Sequence, residues 1–568
     1  MPKTPQVNFK VVNQNVESSV PLLGVTHVVA RTTKGPFNDP STLITGIEQF
    51  RRIYGQEIIV DGSVSSIEKA LSLGSKLRIS RAEGVSGQTK GTGGTLDITF
   101  VNSTEVTKAT LTLESQYGGQ IFDDSQVTGN LTITPSLNTK VAGKVAMVLT
   151  LKVGTNVLST GTLINGGDTW LDWTSLRDYL QTAPFSVNSV AVTGSLAGSI
   201  TTIDGLLDWM SKVQGAGLAK TLSTFTDITV ERGSDGGDPS SAMYIKAFKA
   251  TLDYTDAYQV IFPQACHYTF KKIDKENPVA DATGYNTLMK EVATMVVKAQ
   301  EEVLYVEVPV KDAAGNVLSL EGLITSLTAL QEAVGTSPYI AYFTGGLKYY
   351  NDQGNLVDSD VIGTVAGLGD ASASTAGPWK SFSGMNRGVV SQAQGPVIEN
   401  LGTPTRVEDL QQLADYSVNV FVVKDTRTQG KRTMLWHGFT SNPKSDSERF
   451  LSIVRLNLYI KKNLRPILES YLEEPNIWDT WQNIYFEGKP IMDDLVNNNA
   501  ISEYEWMGDQ DASSYQDLVV NTEAEVRQGK YKLIIKYRDI VPIQDIQVTL
   551  TIDQASRTVS SEVTTSNV

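Results

Sequence analysis

The chain offers little with which to do nucleophilic or metal chemistry: one cysteine and three histidines in 568 residues. Cys266 and His267 are adjacent, and a thiolate–imidazole couple is a possible nucleophile. Neighbouring side chains on an extended segment point to opposite faces, however, which favours a small buried cysteine after the strand expected at 259–262. A zinc site would need His27, His267 and His437 to converge from distant parts of the chain. No His-Glu-x-x-His, Gly-x-Ser-x-Gly or Gly-x-x-x-x-Gly-Lys-Ser/Thr motif occurs; Gly143-Lys144, Gly430-Lys431 and Gly529-Lys530 all lack the upstream glycine. Asp235 and Asp238 sit in a Gly/Asp-rich run that matches no EF-hand loop and reads as turn chemistry. Trp170, Trp173 and Trp209 could stack on a sugar, but their helical setting favours packing. Catalytic, cofactor and metal sites are therefore all expected to be absent, and the chain is not expected to be an enzyme.

One charged constellation stands apart. Arg449, Arg455, Lys461, Lys462 and Arg465 place five cations within seventeen residues of a chain whose formal net charge is −14. On a helix from about 447 to 464, Lys461 and Arg465 are four apart and Arg455 and Lys462 seven apart, so each pair shares a face. Such an edge either pairs with an acidic partner or is a solvated helix face. The overall acidity argues against a general affinity for nucleic-acid phosphates or anionic membranes.

The elements that must carry these residues fall into blocks. With one cysteine, no intrachain disulfide can staple the fold. No apolar run approaches the length of a membrane span, and residues 1–6 lack an apolar signal core, so assembly in a reducing cytoplasm is expected. Residues 21–85 and 236–376 alternate strands and helices: strands at 22–30, 76–81, 259–262, 303–308 and 339–343, with helices at 45–54, 64–74, 242–252, 285–302 and 320–334. Between them, residues 86–235 hold 40 Ser and Thr but only 22 charged residues among 150 positions. Strands expected near 108–114, 130–134, 145–152 and 187–193 make this block an inserted β-rich domain or pair of domains. A Gly/Ser/Ala loop at 363–377 marks a boundary, and residues 377–553 form a C-terminal domain in which Pro466 should kink or end the main helix.

Both ends carry alternating strands. Val7, Phe9 and Val11 alternate with polar neighbours but have no hairpin partner nearby, so they pair at a distance or with another molecule. Tyr531, Leu533, Ile535 and Tyr537 face opposite to Lys530, Lys532 and Lys536, and Ile546, Val548, Leu550 and Ile552 repeat the pattern. Residues 554–568 read as a tail.

Seven segments in consistent order resemble the sheath proteins of contractile phage tails. The first combines Gly24-Val25, Lys34-Gly35-Pro36, Asn38-Asp39-Pro40, Phe50 and Tyr54-Gly55, followed by Leu77-Arg78-Ile79-Ser80-Arg81. Re-entry after the insert, Arg232-Gly233-Ser234-Asp235-Gly236, resembles the family's Gly-Gly-Ser-Asp-Gly turn. Ser337-Pro338-Tyr339 and Val361–Gly367 follow, the latter lacking the family's usual prolines. Gly377-Pro378-Trp379-Lys380, Arg449–Leu464 and Glu473-Glu474-Pro475-Asn476 with Trp481 resemble the most characteristic domain. The resemblance is thin over 86–235.

What the resemblance implies is an α+β multidomain subunit: an α/β middle domain, an inserted outward-facing β-rich domain, a C-terminal α+β sheath domain facing the tube, and extended arms at 1–20 and towards the C-terminus. It implies stacked six-fold rings around a tail tube, contraction that drives the tube through a host envelope, and partners in the tube, baseplate and tail terminator or neck proteins, with no cofactor, no direct nucleic acid and no membrane insertion. The place implied is a virion tail assembled in a bacterial host cytoplasm; a bacteriocin or injection system is the near alternative, and a glycan-binding surface protein using 86–235 a more distant one. On that reading the strand segments at 7–11, 531–535 and 546–550 link subunits, and the basic helix docks on an acidic tube.

Overall fold

The short, mostly apolar runs Val25–Ala30, Val303–Glu307 and Ile340–Thr344 turn no face to solvent: every residue in them, His27 and Glu307 included, is buried. Strands of this kind need helices on both sides. The computed structural model of the chain describes residues 23–33, 35–59, 64–84, 239–265, 282–312, 315–351, 354–401, 403, 405–426, 430–442 and 447–543, together with strands within 94–230 and 551–560.

The central sheet has eight strands: β1 (Val25–Ala30), β2 (Leu43–Ile44), β3 (Lys76–Arg81), β4 (Gln259–Ile261), β5 (Val303–Glu307), β6 (Ile340–Thr344), β7 (Val418–Thr426) and β8 (Gly430–Leu435). Their order is β8-β7-β6-β5-β4-β1-β3-β2. Strands β3, β1, β4, β5, β6 and β7 run parallel, while β2 and β8 close the edges antiparallel. Alternate residues of each strand feed two cores. Leu304, Val306, Ile340 and Tyr342 meet α3 (Ser241–Thr251), α4 (Ala282–Ala299), α5 (Leu320–Val334) and α7 (Val407–Asp415). Val303, Tyr305, Ala341 and Phe343 meet α1 (Ile47–Tyr54), α2 (Ser66–Ser72), α6 (Ile362–Ala376) and the start of α8 (Leu451–Ser470). The result is a doubly wound three-layer sandwich.

Three expectations need correction. The run 363–377 is not a loop but helix α6. Its small residues are there for close approach: a Cβ on Gly363 would collide with the Ser66 carbonyl, and one on Gly367 would lie 2.7 Å from Leu73. The boundary placed at 376/377 falls inside the sheet domain, because β7 continues the parallel sheet beside β6 and β8 follows it. Of the two outcomes expected at Pro466, a kink or an end, the end does not occur: α8 runs through it to Ser470, held on either side by Leu464 and Leu468 in one apolar cluster.

That cluster is the core of a C-terminal unit. It joins the second half of α8 to α9 (Trp478–Asn497) and to an antiparallel pair, β9 (Ile501–Met507) and β10 (Ile534–Asp539). In the insert, the described strands form two antiparallel sheets: Gly94–Val101, Val106–Ser115 and Phe185–Thr193 in one, and Leu131–Val141, Lys144–Val153, Asn156–Ile164 and Ile228–Val230 in the other. They overlap the strands expected near 108–114, 130–134, 145–152 and 187–193. Among the described residues, no helix is long and apolar enough to cross a membrane.

Candidate functional site

The five cations do not form one outward face. Arg455, Lys462 and Arg465 expose 1%, 5% and 7% of their surface. Arg455 donates through Nη2 to the Gly369 carbonyl at 3.0 Å and lies over the rings of Phe382 and Tyr258. Gly369 leaves the room: a Cβ there would sit 2.6 Å from Nη1. Lys462 lies over the other reach of Tyr258 and donates to the Thr255 carbonyl. Lys461 and Arg465 converge on Glu301, the former at 2.7 Å. Arg449 packs on Phe439, 4.4 Å from the ring centre, and donates to the Ala414 carbonyl. The spacing predicted which cations share a face; burial turns those faces inward, against the sheet domain of the same chain.

The acceptors of this charge cluster near the amino-terminal ends of the parallel strands. Glu301 and Glu302 lie between α4 and β5, and Asp256 precedes β4. His27 on β1 bonds Glu302 through Nδ1 at 2.8 Å, and its Nε2 stands 3.8 Å from Asp256. Asp256 in turn accepts from Arg78 Nε at 2.8 and 3.0 Å. Burial opposes charge on His27, but Glu302 and Asp256 override it and hold the imidazole up at about 9. Asp256 resists burial in the same way, and His27 and Arg78 pull it down to about 2. Burial lowers Lys462 to about 8, with Glu301 and Glu302 working against the fall. The surrounding cations outweigh burial at Glu301 and lower its value. Two oppositely charged sets thus clasp α8 to the sheet.

Beside the clasp, the buried Asp370 on α6 accepts from Thr26 (2.6 Å), Ser75 (2.7 Å) and Gln259 (2.6 Å), tying β1, β4 and the turn after α2 to one helix. Burial raises its carboxyl. A third polar group gathers Glu57, Glu307 and Asp360. Glu57 accepts from Ser65 and from the Ile67 amide, Glu307 from the Val361 amide, and Asp360 from Ser66 and Gln264. Burial, reinforced by Asp360, raises Glu57 to about 8 and Glu307 well above its usual range. Among the described residues, no three His, Cys, Asp or Glu side chains are arranged to hold a metal ion.

The clasp positions a small strand platform. In β9–β10, Trp506 pairs with Ile535 and Tyr504 with Tyr537. Trp506 packs over Gly488 of α9, where a Cβ would collide with its ring, and edge-on to Tyr485. Tyr531 stacks on Trp481 at 5.4 Å, and Leu533 joins the same core. The alternation expected at 530–537 is present, but its apolar face covers α8 and α9. Tyr531, Leu533 and Ile535 therefore belong to the chain's own C-terminal unit rather than to a free arm. The outer face carries the pairs Arg538–Glu503 (3.0 Å) and Lys536–Glu505 (3.5 Å). Among the described residues this sheet has two strands, and Ile540, Val541 and Ile543 beyond it are 44%, 49% and 79% exposed.

Other expectations fall elsewhere. Val7, Phe9, Val11, Ile546, Val548 and Leu550 lie outside the described residues, as do Cys266, His267, Asp235, Asp238, Trp170, Trp173 and Trp209. His437 stacks on Phe439 at 4.8 Å, and burial with nearby Arg449 pushes it down to about 4. Sequence reasoning missed the acidic half of the clasp. Its one local signal was the pair Glu301-Glu302 set directly against an apolar strand.

No family model and no curated protein matches this chain. Among solved structures, it is similar to a sheath tail protein of Listeria innocua at 12% identity, covering 91% of this chain and 95% of that one with a TM-score of 0.47. A sheath tail protein of Desulfitobacterium hafniense is similar at 12% identity, covering 94% and 100% with a TM-score of 0.45. The contracted helical sheath of the anti-feeding prophage is similar at 16% identity over 55% and 74%, with a TM-score of 0.40.

Proposed function

We propose that the chain is the structural subunit of a contractile tail sheath: it polymerises as stacked six-fold rings around a tail tube and contracts to drive the tube through a host envelope for genome delivery. Its partners on this reading are further copies of itself, the tube, the baseplate and the terminator or neck proteins, in a virion tail assembled in the host cytoplasm. A bacteriocin or injection system would use the same subunit, because the payload is carried by other chains.

The observation that carries the reading is the platform β9–β10. A two-stranded ribbon is marginal alone, and this one sits on a packed helical base beside exposed Ile540, Val541 and Ile543. Strands added from neighbouring copies, such as the alternating segments at 7–11 and 546–550, would complete it through backbone hydrogen bonds. Bonds of that kind let subunits move as rigid bodies without dissociating, as contraction requires. The motif order along the sequence supports the same reading. The buried clasp adds a reason for rigidity, since it fixes the platform to the sheet domain. Arg455, Lys462 and Arg465 are buried within the chain, which leaves Lys461, its side chain 24% exposed, as the residue of α8's basic set that could still meet an acidic tube.

Deletion of residues 1–15 tests the proposal. The expected outcome is a folded chain, with unchanged circular dichroism, that no longer forms long tubular polymers under negative-stain electron microscopy. Unimpaired polymerisation would refute the arm linkage.

A further inference from the structure

The net charge is distributed very unevenly. Residues 469–525 contain fourteen Asp and Glu against a single Lys, so a tenth of the chain holds nearly the whole excess of −14. Within this stretch, residues 509–521 form a self-closed knob. Asp509 accepts from the backbone amides of Val519, Val520 and Asn521 at 2.7–3.1 Å and ties the neck shut. Those amides hold its carboxyl low despite burial. The knob turns outward Asp511, Tyr515 (42% exposed), Asp517 and Val519 (82% exposed). Val519 and Tyr515 thus give this acidic knob an apolar tip.

The sheet domain carries a surface of the opposite kind. At the carboxyl ends of β6 and β7, a groove of about 930 Å³ runs between the strand Gly395–Pro396 and the β7–β8 hairpin. Its floor is apolar, from Val390, Val407 and Val423, and its walls carry Lys348, Lys424, Lys431 and Arg432 against Glu399 and Asp425. Lys348 is already paired with Glu399 at 2.6 Å. Lys431 at the rim is exposed, and Arg432 beside it is half-buried with its Nε lacking a hydrogen-bond partner. A basic groove with an apolar floor, on a chain this acidic, selects an acidic ligand with an apolar tip.

We propose that the acidic knob 509–521 of a second copy of this chain seats in the groove, Val519 on the apolar floor and Asp511 and Asp517 against Lys431 and Arg432. The contact proposed is head-to-tail, the knob of each copy entering the groove of the next, rather than two copies exchanging knobs about a two-fold axis. A head-to-tail contact propagates, giving a ring or a helical array rather than a closed two-fold dimer. The proposal rests on the reading that copies of this chain assemble, and it names a side-chain contact separate from strand exchange.

The test is a charge-swap cycle on the full chain, read by sedimentation velocity as a function of salt and by electron microscopy. Lys431→Glu with Arg432→Glu, and separately Asp511→Lys with Asp517→Lys, are each expected to raise the concentration for half-assembly about tenfold. The chain carrying all four substitutions is expected to recover most of that loss, because the charges are complementary again. The four substituted side chains are at the surface or rim, so circular dichroism should stay at the wild-type trace. Asp517 also accepts hydrogen bonds from Ser513 and Ser514 inside the knob, and the Lys431→Glu, Arg432→Glu variant, expected to keep the wild-type melting temperature, is the control for that loss. Reversals that leave assembly unchanged, a fourfold variant no better than either half, or a wild-type chain that stays monomeric at every concentration and salt would each overturn the proposal. Tubular polymers that form normally in the reversed variants would reject the knob while leaving the sheath reading intact. Salt-sensitive oligomers lost on reversal, but never tubular, would uphold the knob and reject the sheath.

Discussion

His27 shows how much of this molecule rests on charges kept out of water. Its value of about 9 stands above the ordinary 6.5 because Glu302 and Asp256 face it inside the sheet domain. A group raised in this way stabilises the folded state fully below pH 6.5, and the contribution is lost as pH climbs through 9. The window spans about 2.5 units, or at most about 3 kcal/mol. Glu57, raised to about 8 from an ordinary 4.5, has the same sign and acts at lower pH, its share falling away between 4.5 and 8. His437, lowered to about 4 from 6.5, and Lys462, lowered to about 8 from 10.5, have the opposite sign and add stability as pH rises through those windows. The net loss is therefore expected between about pH 6.5 and 8, where His27 and Glu57 act unopposed. His27→Gln should flatten the portion between 6.5 and 9 and leave the lower portion in place, as measured by urea unfolding at a series of pH values. An unchanged slope above pH 6.5 would show that His27 does not hold its proton as the geometry requires.

At the scale of elements, small residues decide which helices meet. Gly363 and Gly367 let α6 lie directly on α2, and Gly488 lets the Trp506 ring rest on α9. The last contact offers a local test, since Gly488→Ala places a methyl where the indole sits. Trp506 must swing out, and overpacking of this kind costs about 1–3 kcal/mol. Hydrogen exchange should then quicken at the amides of β9 and β10 while β4, β5 and β6 keep their protection. Equal acceleration everywhere would mean that the platform is not a separate layer. Much of this level could be read in the sequence. Helix α5 and strand β3 lie where the 3.6- and 2-residue periods place them, and the alternation at 530–537 survives intact. Helix α6 could not be read, because its Gly, Ser and Thr residues offset the helix-favouring Ala and the segment is held as a helix by neighbours that need close approach. Helix α9 is held by its packing against α8 and the platform in the same way.

For the whole molecule, the clasp between α8 and the sheet joins the part that could bind neighbours to the part that carries the insert. If it is the main link, the sheet domain and the C-terminal unit should melt together in calorimetry. Asp256→Asn with Glu301→Gln removes two of its three carboxylates and strands Lys461, Lys462, Arg465 and Arg78, a loss of several kcal/mol. The expected result is a lowered first transition and a resolved second one; a single, unshifted transition would assign the coupling to apolar contacts alone. The sequence by itself determined most strands and helices of the sheet domain, strands within 94–230, the alternation at 530–537 and the poverty of catalytic motifs, because each depends on local periodicity or composition. It also determined which cations on α8 share a face. Only the tertiary structure decided that those faces turn inward. Arg465 meets Glu301 from 164 residues away, and Arg455 meets Gly369 from 86. A helix's periodicity records that it has a charged side, whereas burial of that side depends on partners brought to it by the rest of the fold.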